Sequence, residues 1–163
     1  QSVIISKKGS DIKKLKDLIF FLMIRRPPRS TLSYYVPMDI LIDSQTIKHI
    51  KTYNFLGRHD RVAQYVIMGR YSAGAVKNSI AQKYSKYIQV VKRSKPLADF
   101  VMVSSSSLDK KVSKKIKDAL LKLKDEKILS SLKGSAIWFE EARDSDYDDL
   151  KEIINRVKKN KKQ

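Results

Sequence analysis

Strands alternating with helices over the first 92 residues predict an α/β chain, a mixed sheet flanked by helices with a further strand and a helical tail. Three observations carry this. Short β-branched or small apolar runs recur at Val3-Ile4-Ile5, Phe55-Leu56, Ala73-Gly74-Ala75-Val76 and Ile88 to Val91. Stretches with apolar residues at helical spacing separate them. From Asp109 onward the pattern is helical.

In order, Ser2 to Ser6 reads as a buried strand. Ser10-Asp11 caps a short helix whose Ile12, Leu15 and Leu18 share one face. Ser33 to Asp43 suits a helix on Val36, Ile40 and Leu41, with Pro37 in its first turn or kinking it. Tyr53 to Gly57 reads as strand then turn. His59 to Met68 is a helix striped by Val62, Ala63, Val66 and Ile67, and Gly69 closes it. The strand Ala73 to Val76 leads into a helix from Asn78 to Tyr84, with Ile80, Ala81 and Tyr84 inward. Ile88 to Val91 and, after the turn at Pro96, Phe100 to Val103 read as strands. Val112, Ile116, Ala119, Leu120 and Leu123 stripe the next helix, Lys127 to Leu132 makes a short one, and Trp138 reads as a core anchor. Leu150, Ile153, Ile154 and Val157 define the last helix, whose start follows acidic Asp144 and Asp146.

The 163 residues suit one domain or two small lobes, and 42% hydrophobic content supports a real core. With no Cys, disulfides, thiolate metal sites and a Cys nucleophile are excluded. The net charge is +18, from 35 basic and 17 acidic residues. That balance invites a nucleic-acid partner. The basic residues are nevertheless spread along polar helix faces, which favours a Lys-rich solvated surface. No apolar run reaches the roughly 18 residues of a membrane span. The chain opens on Gln1 directly into a strand-like run, so it reads as a fragment or processed chain.

Three strand-to-helix junctions carry polar residues. Ser30-Thr31-Leu32-Ser33 offers hydroxyls and helix N–H groups suited to an oxyanion. Gly57-Arg58-His59-Asp60 adds His59 as a donor and Asp60 as a cap. Lys77-Asn78-Ser79 opens a third helix. Ordinary N-capping explains each junction taken singly; three in one lobe outweigh any one. Catalysis finds little support. There are two histidines, His49 reads as surface, and neither a Walker-type loop nor a nucleophile elbow is present. The acidic run Asp144 to Asp149 matches no metal-ligand spacing.

"FLGRHDRVAQYVIMGRYSAGAV" and "STLSYYVP" resemble segments of the phosphate/phosphite/phosphonate ABC-transporter substrate-binding proteins. "SVIISKKGSDIKKLKDL" is similar to the family's hinge strand and following helix, and two later segments resemble its C-terminal helices. The resemblance implies a type II periplasmic-binding-protein fold whose two lobes close on an oxyanion by hinge motion. It places residues 1–92 in the second lobe and 93–163 in a crossover strand and C-terminal helices of a largely missing first lobe. By position it makes Ser30, Thr31, Ser33 and His59 oxyanion ligands, with Asp60, Lys77 and Asn78 beside them. It implies no cofactor, no metal and no enzymatic activity. It also implies an ABC permease as partner, no nucleic acid, and a periplasmic or extracytoplasmic location. Arg58 stands where the family has a small residue, Ser72 where it has Asp, and Lys77 where it often has Asp or Asn, so ligand identity stays open. The alternatives are a basic nucleic-acid-binding module and the ligand-sensing domain of a membrane receptor.

One stretch departs from that pattern. Leu18 to Ile24 is apolar and runs into Arg25-Arg26-Pro27-Pro28-Arg29. The string resembles the translation of a sequencing-adapter read-through, and residues 19–29 read as a non-native insert. Ile19 to Ile24 could still pair as a substitute strand.

Overall fold

A computed structural model describes residues 1–18, 20–24, 31–50, 52–98, 101–132 and 137–160. It divides into two compact units, Gln1–Leu97 with Asp148–Gln163, and Ala98–Tyr147.

The first unit is built on a five-stranded mixed sheet of order β3-β2-β4-β1-β5. The strands are β1 (Ser2–Lys7), β2 (Phe20–Ile24), β3 (Thr52–Leu56), β4 (Ala73–Lys77) and β5 (Ile88–Arg93). β2 runs parallel to β3, with Phe20 opposite Thr52 and Ile24 opposite Leu56. It is also parallel to β4, with Phe21 opposite Ala73. β1 is antiparallel to both β4 and β5. Each parallel strand feeds a helical segment. Thr31–Tyr35 forms a π-helical turn that runs into α1 (Val36–Asp43), α2 is His59–Ile67 and α3 is Asn78–Lys83.

Two buried clusters hold this unit. Ile4, Leu18, Tyr34, Met38, Leu41, Ala73, Ala75 and Val157 fill one, and Val3, Ile5, Val62, Ala63, Val76 and Ile88 fill the other. The alternation of Val3 and Ile5 against Ile4 follows from the two-residue period of a strand buried on both faces. The α2 stripe is buried at Val62, Ala63 and Val66 as its spacing predicts. Gly69 follows it at φ +72°, a left-handed conformation in which a Cβ would be strained.

The helix predicted after Ser10 is instead a single 3-10 turn, Leu15–Asp17. Its cause is local. The Asp17 carboxylate accepts the Lys13 N–H at 3.1 Å and the Lys14 N–H at 2.8 Å. It is a side-chain competitor that holds the chain in a turn. Ile12 and Leu15 still pack on the core beside buried Leu18.

The last helix, α6 (Asp148–Asn160), belongs to this unit. The compact units divide after Leu97, and α6 falls with the sheet because Ile153, Ile154 and buried Val157 pack into the first cluster. Arg156 reinforces this, its Nε 2.6 Å from Asp39 Oδ1 on α1.

The second unit contains α4 (Lys110–Lys122) and α5 (Glu126–Leu132). The side chains of Asp109 and Asp125 cap them by accepting N–H groups from the first turn of each helix. Lys117 pairs with Glu141 at 2.9 Å. Leu129 is buried, but Val112 and Ile116 of the α4 stripe are 45% and 48% exposed. Two expectations fail here. Val101 to Val103 form no strand; all three are exposed, and no described strand offers them a ladder. Phe100 lies outside the described residues. Trp138 is 62% exposed and so is not a core anchor here.

Candidate functional site

Because β3, β2 and β4 are adjacent and parallel, their carboxyl ends lie at one end of the sheet. The second and third polar junctions, which directly follow β3 and β4, therefore lie there, where open α/β sheets bind ligands. β5 runs in the same sense as β4, since both are antiparallel to β1, so Arg93 ends at this rim as well.

The first junction is anchored from below. Tyr34 and Tyr35 are buried with their rings edge-to-face, 5.1 Å between centroids. They fix the π-helical turn whose first residue, Thr31, is partly exposed. Ser30, predicted as a ligand, lies outside the described residues, as do Arg25, Arg26 and Arg29; Ser33 contributes its backbone to the turn.

The second junction opens α2. Arg58 occupies the N-cap with extended backbone and no side-chain cap bond. Asp60, the second helical residue, is not the N-cap residue. The first-turn N–H groups carry the positive end of the helix dipole, and the Asp60 carboxylate accepts its own backbone N–H. His59, the first helical residue, is half-buried.

The third junction meets the second through one bond. The Lys77 N–H donates to His59 Nδ1 at 3.2 Å. An imidazole that accepts at Nδ1 carries its proton on Nε2, so the ring is held in the tautomer that donates from Nε2. Burial, then the Lys77 ammonium, lower the His59 pKa to about 4; Asp60 opposes them weakly. The ring is thus neutral at physiological pH and donates without charge.

Asp60 is engaged by α3. Lys83 Nζ lies 2.6 Å from its Oδ1 and the Tyr84 hydroxyl donates at 3.1 Å. The Lys83 hydrogen bond holds the carboxyl below the usual range, with burial acting against it. Lys77 itself is exposed and sits at the N-cap of α3. Asn78 receives a short hydrogen bond from the Arg93 guanidinium on its side-chain oxygen, and its N–H donates to the Gln1 carbonyl at 3.3 Å.

The geometry thus brings His59, Asp60, Lys77 and Asn78 to one sheet end, while Thr31 opens the π-helical turn that precedes α1. Sequence reasoning missed Lys83 and Arg93. The Lys-Arg pair at the end of the β5 run was a usable signal for Arg93. Nothing in the order of residues linked Lys83 to an acid 23 positions away. Among the described residues, no group of three or more His, Asp or Glu side chains could hold a metal ion.

A mixed sheet with polar helix starts gathered at one end is the architecture of a periplasmic-binding-protein lobe. The comparisons with known proteins place it further. The profile of the ABC-transporter phosphonate periplasmic substrate-binding proteins matches residues 1–147, and the chain belongs to that family. It is a family of substrate-binding proteins, not of enzymes. No curated protein sequence matches the chain. Among solved structures, PhnD1 of Prochlorococcus marinus (MIT 9301), in complex with methylphosphonate, aligns with a TM-score of 0.74 at 23% identity over 97% of this chain. XAC2383 from Xanthomonas citri, bound to chloride, aligns with a TM-score of 0.74 at 18% identity over 98% of it. A binding-protein component of an ABC phosphonate transporter from Pseudomonas aeruginosa aligns with a TM-score of 0.66 at 17% identity over 96%. The chain spans 66% of the first two and 58% of the third. Among the described residues, no helix is long and apolar enough to cross a membrane.

Proposed function

We propose that the protein is the extracytoplasmic solute-binding component of an ABC importer and delivers a phosphonate to its permease. Phosphite and phosphate present the same oxyanion and are the other candidate ligands. The ligand's oxygens are held at the carboxyl ends of β2, β3 and β4. His59 donates from Nε2, and the first-turn N–H groups of α2 add to the cradle. The family resemblance adds the hydroxyls of Ser30, Thr31 and Ser33 from the first junction. The observation that carries this reading is the Lys77 N–H bond to His59 Nδ1, which ties two junctions together and leaves the imidazole proton on Nε2. The match of residues 1–147 to the family supports it, as does the fold shared with a methylphosphonate complex.

Calorimetric titration of the protein, expressed from its intact gene, with methylphosphonate, phosphite and phosphate tests this. Saturable heat with at least one of them is expected, with only modest weakening by salt. No heat with any of the three would sink the reading. A steep decline of binding to nucleic acid with salt, in place of oxyanion binding, would point to the basic surface instead.

A further inference from the structure

The excess positive charge belongs to the first unit. Residues 1–97 and 148–163 hold 25 Lys and Arg against eight acids, whereas residues 98–147 hold 10 against nine. A surface made basic for solubility alone does not require that asymmetry.

Much of the excess gathers at the sheet end opposite the second and third junctions. Lys7 closes β1 there, opposite Ile88 at the start of β5, and the starts of β2, β3 and β4 lie at the same end. The segment from β1 to β2 adds Lys8, Lys13, Lys14 and Lys16. The segments that enter β3, β4 and β5 add Lys48, Arg70 and Lys86. All eight are exposed, and among the described residues none forms an ion pair. The Lys8 N–H donates to the Tyr87 carbonyl at 2.9 Å, and Gln89 Nε2 donates to the Ser10 and Ile12 carbonyls. These bonds fasten the first segment against the start of β5. Of the nearby acids, Asp17 accepts the Lys13 and Lys14 N–H groups and Asp43 faces Arg156, which leaves Asp11 against eight cations. Tyr87 and Met68 stand among them, 58% and 65% exposed.

Cations on long flexible stems, with a tyrosine and a methionine laid open between them, fit an interface of anionic headgroups over acyl chains. The headgroups answer the charge, and the boundary below them takes the apolar groups. A nucleic-acid duplex would answer the charge but not an exposed methionine. We propose that this end of the first unit docks on anionic phospholipid headgroups. The choice of a lipid surface rests on the functional reading above, in which the protein works beside a membrane permease. The ligand end, at the other end of the same strands, stays free.

Co-sedimentation of the full chain with unilamellar vesicles tests this. Binding is expected to vesicles of phosphatidylglycerol and phosphatidylcholine in equal parts at about 50 mM NaCl, and at least about tenfold weaker binding at about 500 mM or to phosphatidylcholine alone. Lys8→Gln, Lys13→Gln, Lys16→Gln and Lys86→Gln combined are expected to weaken it at least about tenfold. Lys110→Gln, Lys111→Gln, Lys114→Gln and Lys115→Gln on α4 change the net charge equally and are expected to cost far less. Met68→Ser with Tyr87→Ser should weaken binding severalfold. All these side chains are exposed, and thermal unfolding of each variant checks that the fold is kept. Equal losses from the two lysine sets would overturn the assignment to this end. Equal binding to both kinds of vesicle, or to neither, would overturn the proposal itself. Tighter binding to a duplex of about 20 base pairs than to the anionic vesicles would overturn it in favour of nucleic acid. Oxyanion calorimetry on the same protein is independent of these outcomes, so failure here and failure of the functional reading are told apart.

Discussion

The Lys77 backbone N–H donates to His59 Nδ1 at 3.2 Å, joining the end of β4 to the start of α2. A main-chain donor cannot rotate away as a side chain does, so the imidazole is oriented by the sheet itself. His59→Ala removes the Nε2 donor and is expected to weaken methylphosphonate binding about 10- to 100-fold, from a net hydrogen-bond contribution to a charged group of about 1.5–3 kcal/mol. His59→Gln retains a donor and is expected to lose less. Thermal unfolding of both variants, run in parallel with calorimetry, checks that binding and not folding has changed. Unaltered affinity in His59→Ala would remove His59 from the site.

The depressed pKa of His59 makes a separate prediction about stability. In the unfolded chain the ring titrates near 6.5, and in the folded protein at about 4. Between these values the unfolded state binds a proton that the folded state does not, so stability falls as pH is lowered. Above pH 6.5 both states are neutral and this contribution is fully present; below about 4 it is gone. Denaturant midpoints measured from pH 7 to 4 should therefore decline less steeply in His59→Gln than in the parent, by up to about one proton's worth of slope. Parallel curves would contradict the buried neutral imidazole.

Much of this architecture was legible because it rests on short-range periodicity. The two-residue alternation of Val3, Ile4 and Ile5 and the stripe of Val62, Ala63 and Val66 named their own burial. His59 was legible as a donor because a histidine at a strand-to-helix junction meets free helix N–H groups. Its tautomer was not, since that depends on Lys77, 18 residues away. Val101 to Val103 show the opposite failure. β-branched residues favour a strand only when another strand supplies the ladder, and none described here does. The turn at Leu15–Asp17 was misread because periodicity takes no account of a carboxylate competing for backbone N–H groups.

Phe20–Ile24 occupies the interior of the sheet, with Leu22 opposite both Asn54 on β3 and Gly74 on β4. Proline there removes a donor from a strand paired on both sides. Leu22→Pro is expected to cost about 3 kcal/mol or more and to abolish a cooperative unfolding transition. The resemblance of residues 19–29 to adapter-derived sequence is a question of origin that pairing does not answer, because an apolar run without proline can fill such a place. Resequencing the gene from source DNA is expected to return different codons across this segment. Recovery of the same codons would end that reading.

The α4 stripe makes a prediction of little effect. Ile116 is 48% exposed in the second unit. Ile116→Gln is therefore expected to change the unfolding free energy by less than about 0.5 kcal/mol, as surface substitutions do. It should also reduce any self-association of the chain, measured by sedimentation, because it interrupts a row of exposed apolar side chains. A loss of about 2 kcal/mol or more, the size that follows removal of a buried aliphatic side chain, would show that the stripe is covered in solution.

The clasp between α1 and α6 gives the strongest stability prediction. Arg156 Nε lies 2.6 Å from Asp39 Oδ1, with a second contact from Nη2 to Oδ2 at 3.3 Å, while Nη1 reaches Asp43 at 3.4 Å. The Asp39 side chain is only 12% exposed. Burial raises its pKa, and the Arg156 charge pulls the other way. Arg156→Met keeps much of the aliphatic contact of the arginine stem but leaves a carboxylate buried without its cation. The expected cost is about 1–3 kcal/mol at pH 7.5, less than for a fully buried pair because Arg156 is itself half exposed. The sign of the pH dependence follows. A folded carboxyl pKa raised above its unfolded value favours the protonated form in the folded state. The penalty is therefore largest near neutrality and shrinks as pH falls toward that raised value. Chemical denaturation of Arg156→Met and its parent at pH 7.5 and 4.5 should show the difference closing at the lower pH. Adding Asp39→Asn to Arg156→Met should recover part of the loss at pH 7.5. A cost independent of pH, unmoved by the second substitution, would mean that packing of the arginine stem, and not the buried charge, holds α6 in place.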